Sequence, residues 1–111
     1  LAHVNWRRFQ VTLAKHLQRY FPSGPLISHH GSAMEAAEQV ITTTARLGFM
    51  GQRAHFYMAN ILGAHGDAAL EIDQHPTLAR LLLQPNHQAP MERLKAAVNL
   101  AQQALEKDDM V

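Results

Sequence analysis

The sequence predicts an all-α protein, a compact helical bundle of four main helices and one short helix, and three observations carry that expectation. In every long segment the apolar side chains recur at steps of three and four, the spacing of one helical face. No segment alternates apolar and polar residues as a half-buried strand requires. Short stretches with Pro and Gly divide the periodic segments, withdrawing backbone donors and setting turns. The 111 residues, 47% hydrophobic and 17% charged, suffice for one core and not two, so residues 1–111 read as a single helical domain.

The first helix follows from Trp6, Phe9, Leu13, Leu17 and Tyr20, and Phe21-Pro22-Ser23-Gly24-Pro25 ends it near Phe21. A loop is expected next. Ser32-Ala33-Met34-Glu35 is a capping box that starts the second helix, whose apolar positions Met34, Ala37, Val40, Ile41 and Thr44 run to Leu47-Gly48. Thr42, Thr43 and Thr44 lower its propensity slightly. A third helix spans Gln52 to Ala64 on Phe56, Tyr57, Asn60, Ile61 and Ala64, with Gly63 and Gly66 loosening its end. His75-Pro76 opens a short fourth helix that carries Leu78, Leu81 and Leu82 to about Leu83. After the break from Pro85 to Pro90, Met91, Leu94, Val98, Ala101 and Leu105 mark a fifth helix ending in Lys107-Asp108-Asp109. The expected core is Trp6, Phe9, Leu13, Leu17, Val40, Ile41, Phe56, Ile61, Leu81, Leu94 and Val98.

Composition excludes several function classes. Ten Lys and Arg against nine Asp and Glu leave a net charge of +1, too small for a globally basic nucleic-acid binder. Cysteine is absent, which removes disulfides, thiol catalysis and every cysteine-ligated metal. No run of about 18 apolar residues and no signal segment is visible, so a soluble, cytoplasmic protein is expected, without a membrane partner. The chain begins at Leu1 rather than Met, and residues upstream of it are allowed for.

Eight histidines are the first candidates for chemistry, because imidazole is both a common metal ligand and a common general base. No two of His3, His16, His29, His30, His55, His65, His75 and His87 stand three or four apart, so none form a chelating pair on one helical face. His65, Asp67, Glu71, Asp73 and His75 make the densest polar cluster, in the connection between the third and fourth helices. It reads as a solvated connection with a helix-capping carboxylate, and a small metal-dependent or acid/base enzyme built on this His65–His75 loop is the alternative. His29-His30 reads as an exposed loop pair rather than a ligand pair. Ser23, Ser28 and Ser32 stand in no nucleophile elbow, and the six glycines form no phosphate cradle. No catalytic residue, metal ligand or cofactor is assigned.

Charge distribution is more informative than its total. No acid precedes Glu35, whereas Arg7, Arg8, Lys15 and Arg19 do, so the first third is locally basic. At about 100° per residue, Arg8, Thr12, Lys15 and Arg19 share one face of the first helix, opposite its apolar stripe. It reads first as a solvated face, next as a docking face for an acidic protein partner, and last as a nucleic-acid or membrane surface; Arg8, Lys15 and Arg19 are the candidate partner-binding residues.

Two segments carry a resemblance. His16-Leu17-Gln18-Arg19-Tyr20-Phe21-Pro22 is one; the other runs from Ala45-Arg46-Leu47-Gly48-Phe49 through Tyr57-Met58-Ala59-Asn60 and His65-Gly66 to His75-Pro76 and Leu81-Leu82-Leu83. Together they resemble small all-helical accessory proteins encoded among type VI secretion genes of Gram-negative bacteria. After the glycine this chain has Asp67-Ala68-Ala69-Leu70 where that group has a Phe-Asp pair. The resemblance implies a non-enzymatic protein-binding role, as chaperone, adaptor or immunity protein, with an effector, toxin or spike component as partner; self-association stays open.

Overall fold

The computed structural model describes residues 6–85 and 88–109, with side chains placed through residue 103. The described residues form six α-helices: α1 Trp6–Tyr20, α2 Pro25–His30, α3 Ala33–Arg46, α4 Gln52–His65, α5 Pro76–Leu83 and α6 Pro90–Asp109, with a 3-10 turn at Gly66–Leu70 after α4. No strand occurs among the described residues. The all-α class and the four long helices are as expected from the sequence. Among the described residues, no helix is long and apolar enough to cross a membrane.

Helix α2 replaces the loop expected after Phe21. Pro25 presets φ at its first turn, where no intrahelical partner is needed for a backbone N–H, and Gly31 closes it at φ +93°. Six residues do not hold a helix by themselves; buried Leu26 anchors this one against the bundle. Ser32 Oγ then accepts the amide of Glu35 at 3.1 Å, which starts α3 as the capping box predicts. At the far end Gly48 N–H donates to the Ala45 carbonyl and Phe49 N–H to the Thr44 carbonyl, each at 3.1 Å. With Gly48 at φ +83°, this pair is a Schellman closure, and it turns Phe49 inward.

Helix α4 is the centre. It packs against α1, α2, α3, α6 and the 3-10 turn, so it buries residues on several sides: Ala54, His55, Met58, Ala59, Ile61, Leu62 and Gly63. The face expected from its aromatic spacing is the half-buried one, since Phe56, Tyr57, Asn60 and Ala64 only partly leave solvent. Close approach sets this arrangement. A Cβ on Gly63 would lie 2.6 Å from Cδ2 of Phe21, and one on Gly24 would lie 2.5 Å from the Gly63 carbonyl oxygen. Gly63 therefore does not loosen α4; it lets the α1–α2 corner press onto it.

The core is Leu13, Leu17, Leu26, Val40, Met58, Ile61, Leu62, Leu82 and Leu94, with small alanines between the helices. Ile41, Phe56, Leu81 and Val98 pack against it but are only partly buried. Trp6 departs from expectation at 49% exposed. As the first residue of α1 it overhangs the bundle, touching Phe9 and His55 with ring centroids 5.9 and 5.5 Å away. Leu105 lies outside the described side chains, and His3 and His87 outside the described residues.

Candidate partner surface

Helix α1 buries Phe9, Leu13, Ala14 and Leu17 and leaves Arg7, Arg8, Thr12, Lys15, Gln18 and Arg19 exposed. Separations of 7 and 11 residues from Arg8 bring Lys15 and Arg19 back to nearly the same angle, so the three cations line one edge over about 16 Å. Among the described residues, Lys15 and Arg19 make no salt bridge. The Arg19 guanidinium lies 5.3 Å from the Tyr20 ring centroid, and Tyr20 is itself 58% exposed. The structure thus presents the three predicted residues together, at the surface.

Beside that edge lies a cleft of about 390 Å³, lined by His16, Tyr20 and Phe21 from the end of α1, by Asn60 and Ala64 of α4, and by the α6 side. His16 Nε2–H donates to Asn60 Oδ1 at 2.7 Å and braces its floor. Sequence reasoning missed this concavity because its walls come from three separated helices. Tyr20 belongs to both features, so cationic edge and apolar cleft are continuous.

The polar cluster between the third and fourth predicted helices assembles only in part. His65 Nε2–H donates to the Ala101 carbonyl at 2.9 Å, pinning α6 to the end of α4, and its ring meets that of His75 at 4.8 Å. Glu71 and Asp73 face solvent. No carboxylate caps α5: its N-cap is His75, whose side chain makes no capping bond. Asp67 turns the other way, toward His30 at 2.9 Å and His29 at 3.9 Å. His29 and His30 are therefore not a loop pair but the last turn of α2, with His30 half-buried.

The chain is similar to the accessory protein VasW. VasW, from Vibrio cholerae serotype O1, is 30% identical over 103 residues, which make up 93% of this chain and 34% of VasW, so the chain spans about a third of its relative's length. The likeness agrees with the resemblance to type VI secretion accessory proteins. No family model matches the chain, and no solved structure matches it. Extending over nearly the whole bundle, the match with VasW involves more than one short motif. The segments that carry the sequence resemblance fall at tight junctions: Phe21 against Gly63, Phe49 in the Schellman turn, and Gly66 at the end of α4.

Proposed function

We propose that this chain is a non-enzymatic, protein-binding part of a type VI secretion accessory protein, acting in the cytoplasm as chaperone or adaptor on an effector or spike component. The similarity to accessory protein VasW carries the proposal, and the surface of α1 supports it. The cations at Arg8, Lys15 and Arg19 suit an acidic segment, and the cleft next to Tyr20 suits an apolar side chain within it. We place the enzymatic alternative on the His65–His75 loop second, because the Ala101 carbonyl accepts from His65 and Asp67 faces α2.

The test is co-purification with the effector and spike proteins encoded beside its gene. Changing Arg8, Lys15 and Arg19 together to Glu is expected to abolish capture while helicity and melting stay near the parent's. Each exposed ion pair contributes only about 0–1 kcal/mol, but reversing three charges adds repulsion to the loss. Full-strength capture by the triple variant would refute the docking face. Rescue of cells from a toxin by blocking its active site would instead assign an immunity role.

A further inference from the structure

We infer that His29, His30 and Asp67 form a binding site for a divalent transition-metal ion of the zinc type. The three residues come from two elements, the last turn of α2 and the 3-10 turn after α4, and one ligand atom from each lies within 4.8 Å of the others. His30 Nε2 stands 2.9 Å and His29 Nε2 3.9 Å from the same oxygen, Asp67 Oδ2. With metal–ligand bonds of about 2.0–2.1 Å, tetrahedral donors sit roughly 3.3 Å apart, so the two separations from Asp67 Oδ2 bracket the requirement, and rotation of the exposed His29 side chain closes the third, which lies within 4.8 Å. Two imidazoles and a carboxylate suit zinc, cobalt, nickel or copper and do not suit the harder calcium or magnesium ions, which prefer all-oxygen shells.

The surroundings are those of a supported ligand. Gln39 Nε2, from α3, donates to Asp67 Oδ1 at 3.4 Å, leaving Oδ2 directed at the two rings. The rings stand nearly perpendicular, at 88°, with centroids 4.9 Å apart. Without the ion, His30 Nε2–H donates to Asp67 Oδ2; an ion bound at Nε2 displaces that proton, and the ring takes the Nδ1–H tautomer by exchange through solvent. His29 is 73% exposed, so the remaining coordination positions open to water. Three protein donors with open positions make an exchangeable site that clips α2 to the turn after α4. The residues and elements differ from those of the α1 docking face, so the two proposals stand or fall separately.

Titration calorimetry of the untagged chain with Zn²⁺ is expected to give one equivalent bound, and Co²⁺ to give visible absorption from a nitrogen- and oxygen-ligated ion. His29→Ala changes an exposed side chain and is expected to weaken zinc binding without altering the melting of the metal-free protein. His30→Ala and Asp67→Asn should abolish it, and Gln39→Leu should weaken it about tenfold through the carboxylate it supports. His75→Ala should leave it unchanged. No uptake of Zn²⁺ by the parent, or uptake that His29→Ala and Asp67→Asn leave intact, would overturn the site.

Discussion

Thr43 and Thr44 are neighbours in α3, both buried, and they differ in what their hydroxyls reach. Thr44 Oγ1 donates to the Val40 carbonyl at 2.6 Å, whereas the buried Thr43 Oγ1 has no hydrogen-bond partner among the described residues. A buried hydroxyl without a hydrogen bond costs about 1–3 kcal/mol, so Thr43→Val, which keeps the β-branched shape, should raise stability by about 1 kcal/mol. Urea denaturation would show a higher midpoint at unchanged slope; a lower midpoint would reveal a partner for that hydroxyl. Gly24 illustrates a steric constraint. Its φ of −73° suits any residue, yet an added Cβ meets the backbone oxygen of Gly63 at 2.5 Å. Gly24→Ala is therefore expected to cost about 1–3 kcal/mol by overpacking, read as a lower melting temperature. Neither effect shows in the sequence, where the threonines register only as weak helix formers and Gly24 as part of a turn. Both depend on what another segment places against the residue.

Among the elements, α5 and α6 are joined by one buried cation. Arg93, 7% exposed, donates from Nη1 to the Gln84 carbonyl at 2.6 Å and stacks its guanidinium 5.1 Å from the Phe49 ring centroid. Gln84 is the C-cap of α5, so a side chain of α6 satisfies a carbonyl that the helix end leaves open. Arg93→Met keeps most of the bulk and removes the donor. It should cost about 1.5–3 kcal/mol, and amide exchange should quicken first across Pro76–Leu83. Helix α1 is a simpler case: Leu13 is fully buried, so Leu13→Ala should cost about 2–5 kcal/mol in chemical denaturation. Its stripe was legible because α1 buries a single face. The stripe of α4 marks the helix but only part of its buried surface, because a central helix is covered on several sides, where alanines and glycine pack as tightly as aromatics and carry no strong period.

For the whole molecule, a net charge of +1 leaves little long-range field, so any electrostatic recognition is local to the α1 edge. Capture through Arg8, Lys15 and Arg19 should therefore weaken steadily as salt shortens the Debye length from about 8 Å at physiological ionic strength to about 3 Å at 1 M. Pull-downs across that range provide the check; salt-independent capture would assign recognition to the apolar cleft. The all-α class, the Ser32 cap, the Gly48 closure, the buried face of α1 and its basic opposite edge are all legible in the order of residues. These features depend on interactions within about four residues along the chain, which periodicity and capping chemistry report directly. The partners of the polar side chains are set instead by the packing of the helices. Asp67 stands two residues from His65 but bonds to His30, 37 positions away, while His65 reaches Ala101, 36 positions away. Helix packing, not proximity along the chain, brings those groups together, because each turn is aimed by the glycines and small residues that let one helix approach another.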